Sequence, residues 1–361
     1  MAKNPLLYRL TAVTAIVVVA GAALAGCSSS SSGSNSSGTS TSGGNTSSSG
    51  GSSDSIVLGS PGVPPVISGL LPYIADKQGF YKKYGVNVTI KSFDTGTDAT
   101  RAAATGQIDA AIMPPAQLIT LASQGTPVVG IQGQEFPDWV VDSTDPSVNS
   151  CSALKGQTIG VDAIGGIRYI ALQQMLKTCG LSIGDVHPIP FPGNAAPQAL
   201  INGQLKVSVL HLNEVYDVTG QGKALTTAIR MSTAVPDTMY EMYGTTKTNL
   251  AKKREAFVRL VAAQIAAIQW MDDPANADAV AQYATVTGDP KDDLLKAMAD
   301  YKKIDFWSAD SAAMPQSNVE NSIKGQIAAG NITAAAAPKY SDIIDLSIFT
   351  DAQALVKKTG A

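Results

Sequence analysis

Two groups of polar residues in the middle of the chain are of types that can hold a small molecule. Arg168 follows the pair Gly165–Gly166, which lets a backbone approach a ligand closely, and its guanidinium could bind a carboxylate, sulfonate or phosphate. Glu135, Asp138 and Trp139 lie together earlier in the chain, and carboxylates beside an indole suit a nitrogen heterocycle. The first group predicts an anionic ligand and the second an amine or heterocycle. The sequence therefore leaves the charge of the ligand open.

Purely structural roles are equally open for several of these residues. Arg168 could lie on a solvated helix face, and Trp139 could be an aromatic that packs a core or hinge. His211 follows a predicted buried strand and would face the same cleft, but a lone histidine can also be a satisfied structural residue. The sequence leaves both a ligand contact and a structural role open for each of these residues.

Loops and helix starts supply further candidates. The loop after the first predicted strand has prolines that fix its shape, and its hydroxyl and backbone groups can bond a ligand. Thr97 stands where a helix begins and backbone N–H groups favour negative charge, while Asp98 is either a helix cap or part of that site. The candidate ligand-binding residues are Ser60, Pro64, Pro65, Thr97, Met113, Pro114, Gln117, Gln134, Glu135, Asp138, Trp139, Gly165, Gly166, Arg168 and His211.

The residues give little support to catalysis. The chain has two histidines, His187 and His211, and it has no G-x-S-x-G, H-E-x-x-H or P-loop pattern. His211 and Glu214 form an H-x-x-E pair, but two potential metal ligands without a third are weak evidence for a metal site. We therefore expect a binding protein with no catalytic residues, no metal and no cofactor.

Short apolar runs alternate with longer helical stretches, a pattern typical of an α/β fold with parallel strands. Candidate strands cover residues 56–59, 86–90, 108–113 and 128–131 in one cycle, and 158–161, 186–189 and 207–210 in another. Candidate helices cover 66–78, a stretch from Thr97 or Asp98 to 106, 167–178, 197–201, 275–285 and 290–304. One helical face after residue 250 carries Phe257, Leu260, Val261, Ile265 and Ile268. The two similar cycles predict two similar lobes.

The first 54 residues are of a different kind. Lys3 and Arg9 precede an apolar run, Leu10 to Ala25, which is short for a membrane span and typical of a signal peptide. The run ends in Leu24-Ala25-Gly26-Cys27, which resembles the bacterial lipobox, so residues 1–26 are predicted to be removed and Cys27 to be lipidated. Residues 27–54 are rich in Ser and Gly and are expected to form a flexible tether.

Bulk composition narrows the remaining choices. A formal charge of −3 and a pI near 5.4 give no support to nucleic-acid binding. After the predicted lipid site two cysteines remain, Cys151 and Cys179, and in an oxidising compartment they are expected to form a disulfide, with two buried thiols as the alternative.

Four segments together resemble a known family. They are Leu71–Val86, with its G-F-Y-K-K-Y-G-V end, Gly106–Ala111 (G-Q-I-D-A-A), Leu154–Val161 (L-K-G-Q-T-I-G-V) and Asp272–Pro274 after a long helix. In order and spacing they are similar to the nitrate, sulfonate and taurine binding proteins and the thiamine-pyrimidine-precursor binding proteins of ABC transporters. The stretch Gly203–Val209 departs from the second G-x-[IV]-D-A motif of many relatives, which weakens any transfer of ligand identity.

The resemblance implies a two-lobed type II periplasmic-binding-protein fold, in which each lobe is a mainly parallel sheet flanked by helices. Two chain crossings are expected near residues 135–143 and 238–246, with 55–138 and 244–361 in lobe 1 and 139–243 in lobe 2. The ligand would lie between the lobes, at the carboxyl ends of the strands, and a hinge would close them around it.

The expected function follows from the same resemblance. The chain is predicted to be a monomeric lipoprotein on the outer face of the cytoplasmic membrane or in the periplasm, held to the membrane by its lipid alone. It would deliver a small molecule to the permease and ATPase subunits of an ABC importer. A ligand-presenting sensor with the same fold is the alternative. An enzyme is less expected, because thiamine-pyrimidine synthases of this fold use a cysteine-rich segment that is absent here.

Overall fold

The computed structural model describes residues 54–133, 137–193, 195–237, 239–309 and 314–360. The predicted signal peptide, Cys27 and the Ser/Gly tether lie outside the described residues, as do the candidates Gln134 and Glu135. Among the described residues no helix is long and apolar enough to cross a membrane.

In the described part of the chain, ten strands form two five-stranded sheets. The strands are β1 (Ser55–Pro61), β2 (Asn87–Phe93), β3 (Ala110–Met113), β4 (Val128–Gly133), β5 (Val140–Ser143), β6 (Thr158–Val161), β7 (His187–Pro190), β8 (Val207–Leu210), β9 (Thr226–Arg230) and β10 (Met242–Thr246). The first sheet has the order β2-β1-β3-β10-β4 and the second β7-β6-β8-β5-β9. In each sheet four strands run in the same direction, and the fifth, β10 or β5, runs antiparallel to both of its neighbours.

Fourteen α-helices in the described residues flank these sheets. They are α1 (Leu70–Lys77), α2 (Phe80–Tyr84), α3 (Gly96–Ala104), α4 (Pro115–Ser123), α5 (Ile167–Lys177), α6 (Ala195–Ile201), α7 (Leu212–Gly220), α8 (Met231–Ala234), α9 (Lys247–Asp272), α10 (Ala277–Ala284), α11 (Lys291–Lys303), α12 (Gln316–Ala328), α13 (Tyr340–Ile343) and α14 (Ser347–Thr359). The α/β architecture with two sheets confirms the fold class predicted from the alternating pattern.

The parallel strands were predictable because buried parallel strands are continuous apolar runs. The seven candidate strands all exist, within a few residues of their expected ends. Strands β5, β9 and β10 were not predicted; they are short, and β9 and β10 carry threonines and a glycine or arginine among their apolar residues. The helices after residue 314 were also missed.

The start of α3 corrects one prediction. The side chain of Thr95 caps this helix, because its Oγ1 accepts a hydrogen bond from the backbone N–H of Asp98 at 3.1 Å. Thr97 and Asp98 therefore lie inside the first turn and neither is the N-cap. Threonine is well suited to this position, since its hydroxyl replaces a missing backbone acceptor.

The predicted apolar face of α9 is buried. Phe257, Leu260, Val261, Ile265 and Ile268 are each at most 1% exposed. The helix packs against α1, α2 and α14 on the first sheet. The stripe is therefore a core face, as its period indicated.

The chain passes from the first sheet to the second between β4 and β5, and returns between β9 and β10. A further connection comes from α11, which follows β10 in the chain yet packs against α7 beside the second sheet. The hydroxyl of Tyr301 on α11 donates to Asp138 at 2.6 Å, and Tyr216 on α7 donates to Asp300. Residues late in the chain thus buttress the entrance to the second sheet.

Cys151 and Cys179 lie side by side at the start and end of the β6–α5 segment. Their sulfur atoms are 1.98 Å apart and their Cα atoms 6.0 Å apart, within the range of disulfide-bonded residues. The pairing expected from the cysteine count is therefore geometrically available, and its chemical test is given below.

Candidate functional site

The topology brings the carboxyl ends of the strands of both sheets to a common cleft. Because β5 is antiparallel to β8, with Val140 opposite Leu210, the residues just before β5 lie beside the end of β8. By the same logic the residues just before β10 lie beside the end of β3, since Met242 pairs with Met113. Four buried side chains at these ends are Asp138, Trp139, Tyr240 and Glu241. They form the centre of the candidate site, at the place where open parallel sheets bind ligands.

Asp138 and His211 form a buried pair within this cleft. Nδ1 of His211 lies 3.0 Å from both carboxylate oxygens of Asp138, which also accepts hydrogen bonds from the Tyr301 hydroxyl and the backbone N–H of Leu212. Burial alone would raise the pKa of Asp138, but the charge of His211 and these hydrogen bonds outweigh it and lower the pKa. Asp138 is therefore a carboxylate that is fully engaged by the protein, and it orients the imidazole.

Trp139 packs directly against that pair. Its ring centroid lies 3.8 Å from that of His211 and 5.7 Å from that of Tyr240, and the guanidinium carbon of Arg168 is 5.2 Å from it. The indole is 2% exposed, and it lines a cavity of about 20 Å³ together with Pro114 and Tyr240. Such a volume holds about one water molecule. Trp139 is thus both a packing aromatic and a wall of the cleft.

Arg168 lies in the cleft, but its hydrogen-bonding edge is taken. Nη1 and Nη2 donate to the two carboxylate oxygens of Glu214 at 2.9 and 2.7 Å, and Nη1 also donates to the carbonyl of Val209 at 3.1 Å. Both side chains are at most 2% exposed. This bidentate pair occupies the Nη1–Nη2 edge of the guanidinium. The expectation that Arg168 contacts an anionic ligand stays a prediction.

The start of α5 is occupied in a similar way. The carboxylate of Asp162, which follows β6, accepts the backbone N–H groups of Ile167 at 3.0 Å and Arg168 at 3.2 Å. A helix N-terminus is a natural anion site, and here the anion is a side chain of the protein. A Cβ on Gly166 would lie 2.5 Å from both Asp162 oxygens. The contact with Asp162 therefore requires a glycine at position 166, and the predicted ligand contact of Gly166 stays a prediction.

Other candidates meet in a wide groove at the mouth of the cleft. It has a volume of about 620 Å³ and lies between α3 and α4 on one side and α5 on the other. Thr97, Gln117 and Gly165 line it, and the amide of Gln117 donates to the Thr97 hydroxyl. Tyr169 and Gln173 of α5 complete the far wall. The groove is lined by uncharged groups apart from Arg101.

The loop after β1 is divided between the cleft and the surface. Ser60 is fully buried, and its Oγ has no hydrogen-bond partner. Pro65 is buried as well, whereas Val63 and Pro64 are exposed. Pro64 approaches Gly288 in the α10–α11 connection, where a Cβ would be 3.7 Å from its ring. Met113 and Pro114 are buried at the end of β3.

Glu241 is the most informative residue that sequence reasoning missed. It is 2% exposed, and its Oε2 has no hydrogen-bond partner. Burial raises its pKa from 4.5 to about 7, a shift that a hydrogen bond with Ser68 and the charge of His211 moderate and that Asp162 and Asp138 increase. The sequence feature that could have indicated this residue is its position: Glu241 lies within the expected crossing at 238–246, between Met239–Tyr240 and a strand.

Tyr240 and Asp162 were also missed. The hydroxyl of Tyr240 is buried without a partner, and burial, then the charges of Asp138 and Glu241, raise its pKa. Burial likewise raises the pKa of Asp162, against the opposing charge of Arg168 and backbone hydrogen bonds. Each buried polar atom that lacks a partner costs free energy in a folded protein, so such atoms concentrate where a ligand can pair with them.

Comparison with solved structures identifies the fold. A structure from Bordetella bronchiseptica RB50 superposes with a TM-score of 0.70 at 21% identity, over 84% of this chain and 98% of that one. The periplasmic nitrate-binding protein NrtA from Synechocystis PCC 6803 gives 0.68 at 16%, over 84% and 89%. The zinc-bound ligand-binding component of an ABC-type import system from Staphylococcus aureus gives 0.66 at 14%, over 83% and 99%. The two sheets and their helices are a two-lobed periplasmic-binding-protein fold.

The family follows from the sequence itself. Residues 68–277, more than half of the chain, match the NMT1/THI5-like family model, and the chain belongs to that family. The 4-amino-5-hydroxymethyl-2-methylpyrimidine phosphate synthase of Schizosaccharomyces pombe is 25% identical over 136 residues. That match spans 37% of this chain and 38% of the enzyme.

Proposed function

We propose that this protein is the extracytoplasmic solute-binding component of an ABC importer, which captures a small molecule between its two lobes. The fold and the family support the proposal, and one observation carries it: the buried atoms Glu241 Oε2 and Tyr240 Oη have no partner at the junction of the two sheets. Ligand atoms that pair with them would offset their burial cost. We place lobe 1 at residues 55–138 and 244–361, and lobe 2 at 139–243.

The remaining parts of the proposal concern delivery. Removal of residues 1–26 and lipidation of Cys27 would anchor a monomer outside the cytoplasmic membrane, and the following Ser/Gly tether would let it reach the permease. A two-chain lipid is sufficient for stable anchoring, so no further membrane contact is needed. A ligand-presenting sensor would use the same anchor. Loss of uptake on deletion of neighbouring permease genes distinguishes the importer.

We infer that the ligand carries hydrogen-bond donors, as an amino-substituted heterocycle does, and is not an anion. The features that predicted an anion are each satisfied within the protein. Glu214 occupies the Nη1–Nη2 edge of Arg168, and the Asp162 carboxylate accepts the first backbone N–H groups of α5. At the start of α3 the Thr95 hydroxyl accepts the backbone N–H of Asp98. Among the described residues, the unpartnered groups in the cleft include the carboxyl of Glu241, the hydroxyls of Tyr240 and Ser60 and the amide oxygen of Gln174, which favour a donor-bearing ligand beside the Trp139 ring.

Entry of such a ligand requires the lobes to separate. The cavity beside Trp139 has about 20 Å³, whereas the groove at its mouth has about 620 Å³. A six-membered heterocycle needs far more room than a single water, so we propose that it enters through the groove and that closure then buries it. We assign no catalytic role to the cleft, whose Asp138 and Arg168 are held in fixed pairs.

The experiment is a thermal-shift panel on the secreted chain. Aminopyrimidines and related heterocycles are compared with nitrate, taurine and an alkanesulfonate. A ligand at about 100 times its dissociation constant stabilises the folded state by roughly 2.7 kcal/mol, which raises the midpoint by several degrees. The heterocycles should give this shift and the anions should not. A shift with a sulfonate alone contradicts the inferred ligand class, and a flat panel with folded protein contradicts solute capture of either class.

Glu241→Leu is the test variant, because it replaces the carboxyl by an apolar side chain of similar size in the same buried position. Its apparent affinity for the heterocycle should be lower by about tenfold or more, so the thermal shift at the same ligand concentration should be smaller than in the wild type. Glu320→Leu changes an acidic residue on α12 that lies outside the cleft, and it should bind as the wild type does.

A further inference from the structure

A second cavity lies on the far side of α11 from the cleft. It has a volume of about 370 Å³ and is enclosed by the end of α9, by α10, by α11 and by the segment after α11. Apolar side chains form most of its wall: Met271, Val280, Leu295, Met298, Phe306 and Trp307. Leu295 is 40% exposed, which is unusual for a residue of its size. Volume and lining fall in the range of small-molecule sites.

The cavity is separate from the ligand cleft. The ring of Tyr301 forms part of its wall, while the hydroxyl of the same residue points away and donates to Asp138 at 2.6 Å. Phe306 packs between the rings of Tyr301 and Tyr240, with centroid distances of 4.7 and 5.2 Å. One layer of aromatic rings thus divides the two sites. Among the described residues, none that lines this cavity also lines the small cavity beside Trp139.

Trp307 contributes an unpaired hydrogen-bond donor to the cavity. Its side chain is 7% exposed and lines the cavity, yet the indole Nε1 has no hydrogen-bond partner. Indole nitrogen is a donor only, and buried indoles usually find an acceptor. A molecule that fills this cavity gains from carrying one hydrogen-bond acceptor.

The rim of the cavity is acidic. Asp272, Asp273 and Asp305 line it, and Lys302, the one cation among the described lining residues, donates to the backbone carbonyl of Asp272. Asp305 has a positive φ of 49°, the sole non-glycine residue with positive φ in the described part of the chain, and such backbone strain gathers at functional sites. Three carboxylates against one ammonium disfavour an anionic occupant.

We propose that this cavity is a second ligand site, for a small and mainly apolar molecule that is neutral or cationic and carries one hydrogen-bond acceptor. This site is independent of the site that binds the transported ligand, because the two share no lining residue among those described. Benzamide has the required ring and acceptor and no charge. Benzoate has the same ring with a negative charge, so the pair isolates the effect of the acidic rim.

Ligand-observed NMR on the full secreted chain tests the proposal, with saturation transferred from the protein to each probe. Ala299 lines the cavity and is exposed on α11, so Ala299→Trp should fill the cavity without disturbing the core. Ala354→Trp places the same side chain at an exposed position of α14, away from the cavity. We expect benzamide to bind the wild type and A354W, to lose its signal with A299W, and to bind about tenfold more tightly than benzoate.

Glu241→Gln separates this site from the cleft, because it changes the cleft alone, and it should bind benzamide as the wild type does. Trp307→Phe should weaken benzamide several-fold, because it removes the free donor. Absence of benzamide binding to the wild type, equal binding by A299W, or loss of binding in E241Q would each overturn the proposal.

Discussion

The carboxylate of Asp162 lies so close to Gly166 that a single added carbon on the glycine would sit 2.5 Å from both carboxylate oxygens. The same carboxylate holds the first two backbone N–H groups of α5. We expect Gly166→Ala to push Asp162 off the helix and to lower the free energy of unfolding by about 1–2 kcal/mol, the usual cost of a lost cap. Urea unfolding followed by circular dichroism measures the change.

Gly325→Ala is the matched control for that substitution. Gly325 lies inside α12, and a Cβ there has no neighbour within 4 Å. Replacement of a glycine inside a helix by alanine should therefore stabilise the protein by about 0.5–1 kcal/mol. Equal effects of the two substitutions would show that the contact with Asp162 does not constrain the glycine.

A second prediction concerns the pH dependence of stability. The pKa of Glu241 is about 7 in the folded protein, against 4.5 ordinarily, so between these values the folded state binds more protons than the unfolded state. Stability contributed by this group is therefore lost as pH rises from about 4.5 to 7. Glu241→Gln should remove the loss, and its stability relative to the wild type should increase across this window by up to about 3 kcal/mol. Unfolding in urea at several pH values measures it.

Asp138 contributes a pH dependence of stability with the opposite sign, which the same experiment measures. Its pKa is lowered, so it stabilises the folded state above its ordinary range, and this contribution disappears as the pH falls through the folded-state pKa. Asp138→Asn should therefore show its largest deficit at neutral pH and a shrinking deficit in acid. A deficit in D138N that grows in acid would contradict the assignment of a charged Asp138.

These residues show what the sequence could and could not indicate. The parallel strands follow from apolar runs, and Asp138, Trp139 and His211 were placed at the cleft because each stands beside a predicted strand end or crossing. Their pairing was not predictable, since it depends on how two sheets meet. In the sequence, His211 and Glu214 form only a weak metal motif. In the structure, the Glu214 carboxylate accepts hydrogen bonds from the backbone N–H of His211 at 2.8 Å and from the guanidinium of Arg168, 46 residues away.

A third prediction concerns Cys151 and Cys179. We expect no alkylation of the unfolded chain before reduction, and a mass shift corresponding to both thiols afterwards, because the Cα atoms lie 6.0 Å apart and an oxidising compartment favours the bond. The bond would close a loop with a sequence separation of 28, worth roughly 3–4 kcal/mol in the chain-entropy model. The double variant Cys151→Ser/Cys179→Ser should lose that stability. Labelling of either cysteine without reductant rules the bond out.

The last prediction separates binding from stability at Arg168. Because Arg168 and Glu214 are buried as a bidentate pair, removal of one partner leaves an uncompensated charge in the interior. Arg168→Met should therefore cost about 3–5 kcal/mol of unfolding free energy, and Glu214→Leu a similar amount. The double variant leaves no charge and should be much more stable than the sum of the single effects implies. Three unfolding curves beside the wild type complete this double-mutant cycle. If R168M folds with wild-type stability and loses affinity for an anion, Arg168 is a ligand contact and its pairing with Glu214 is incidental.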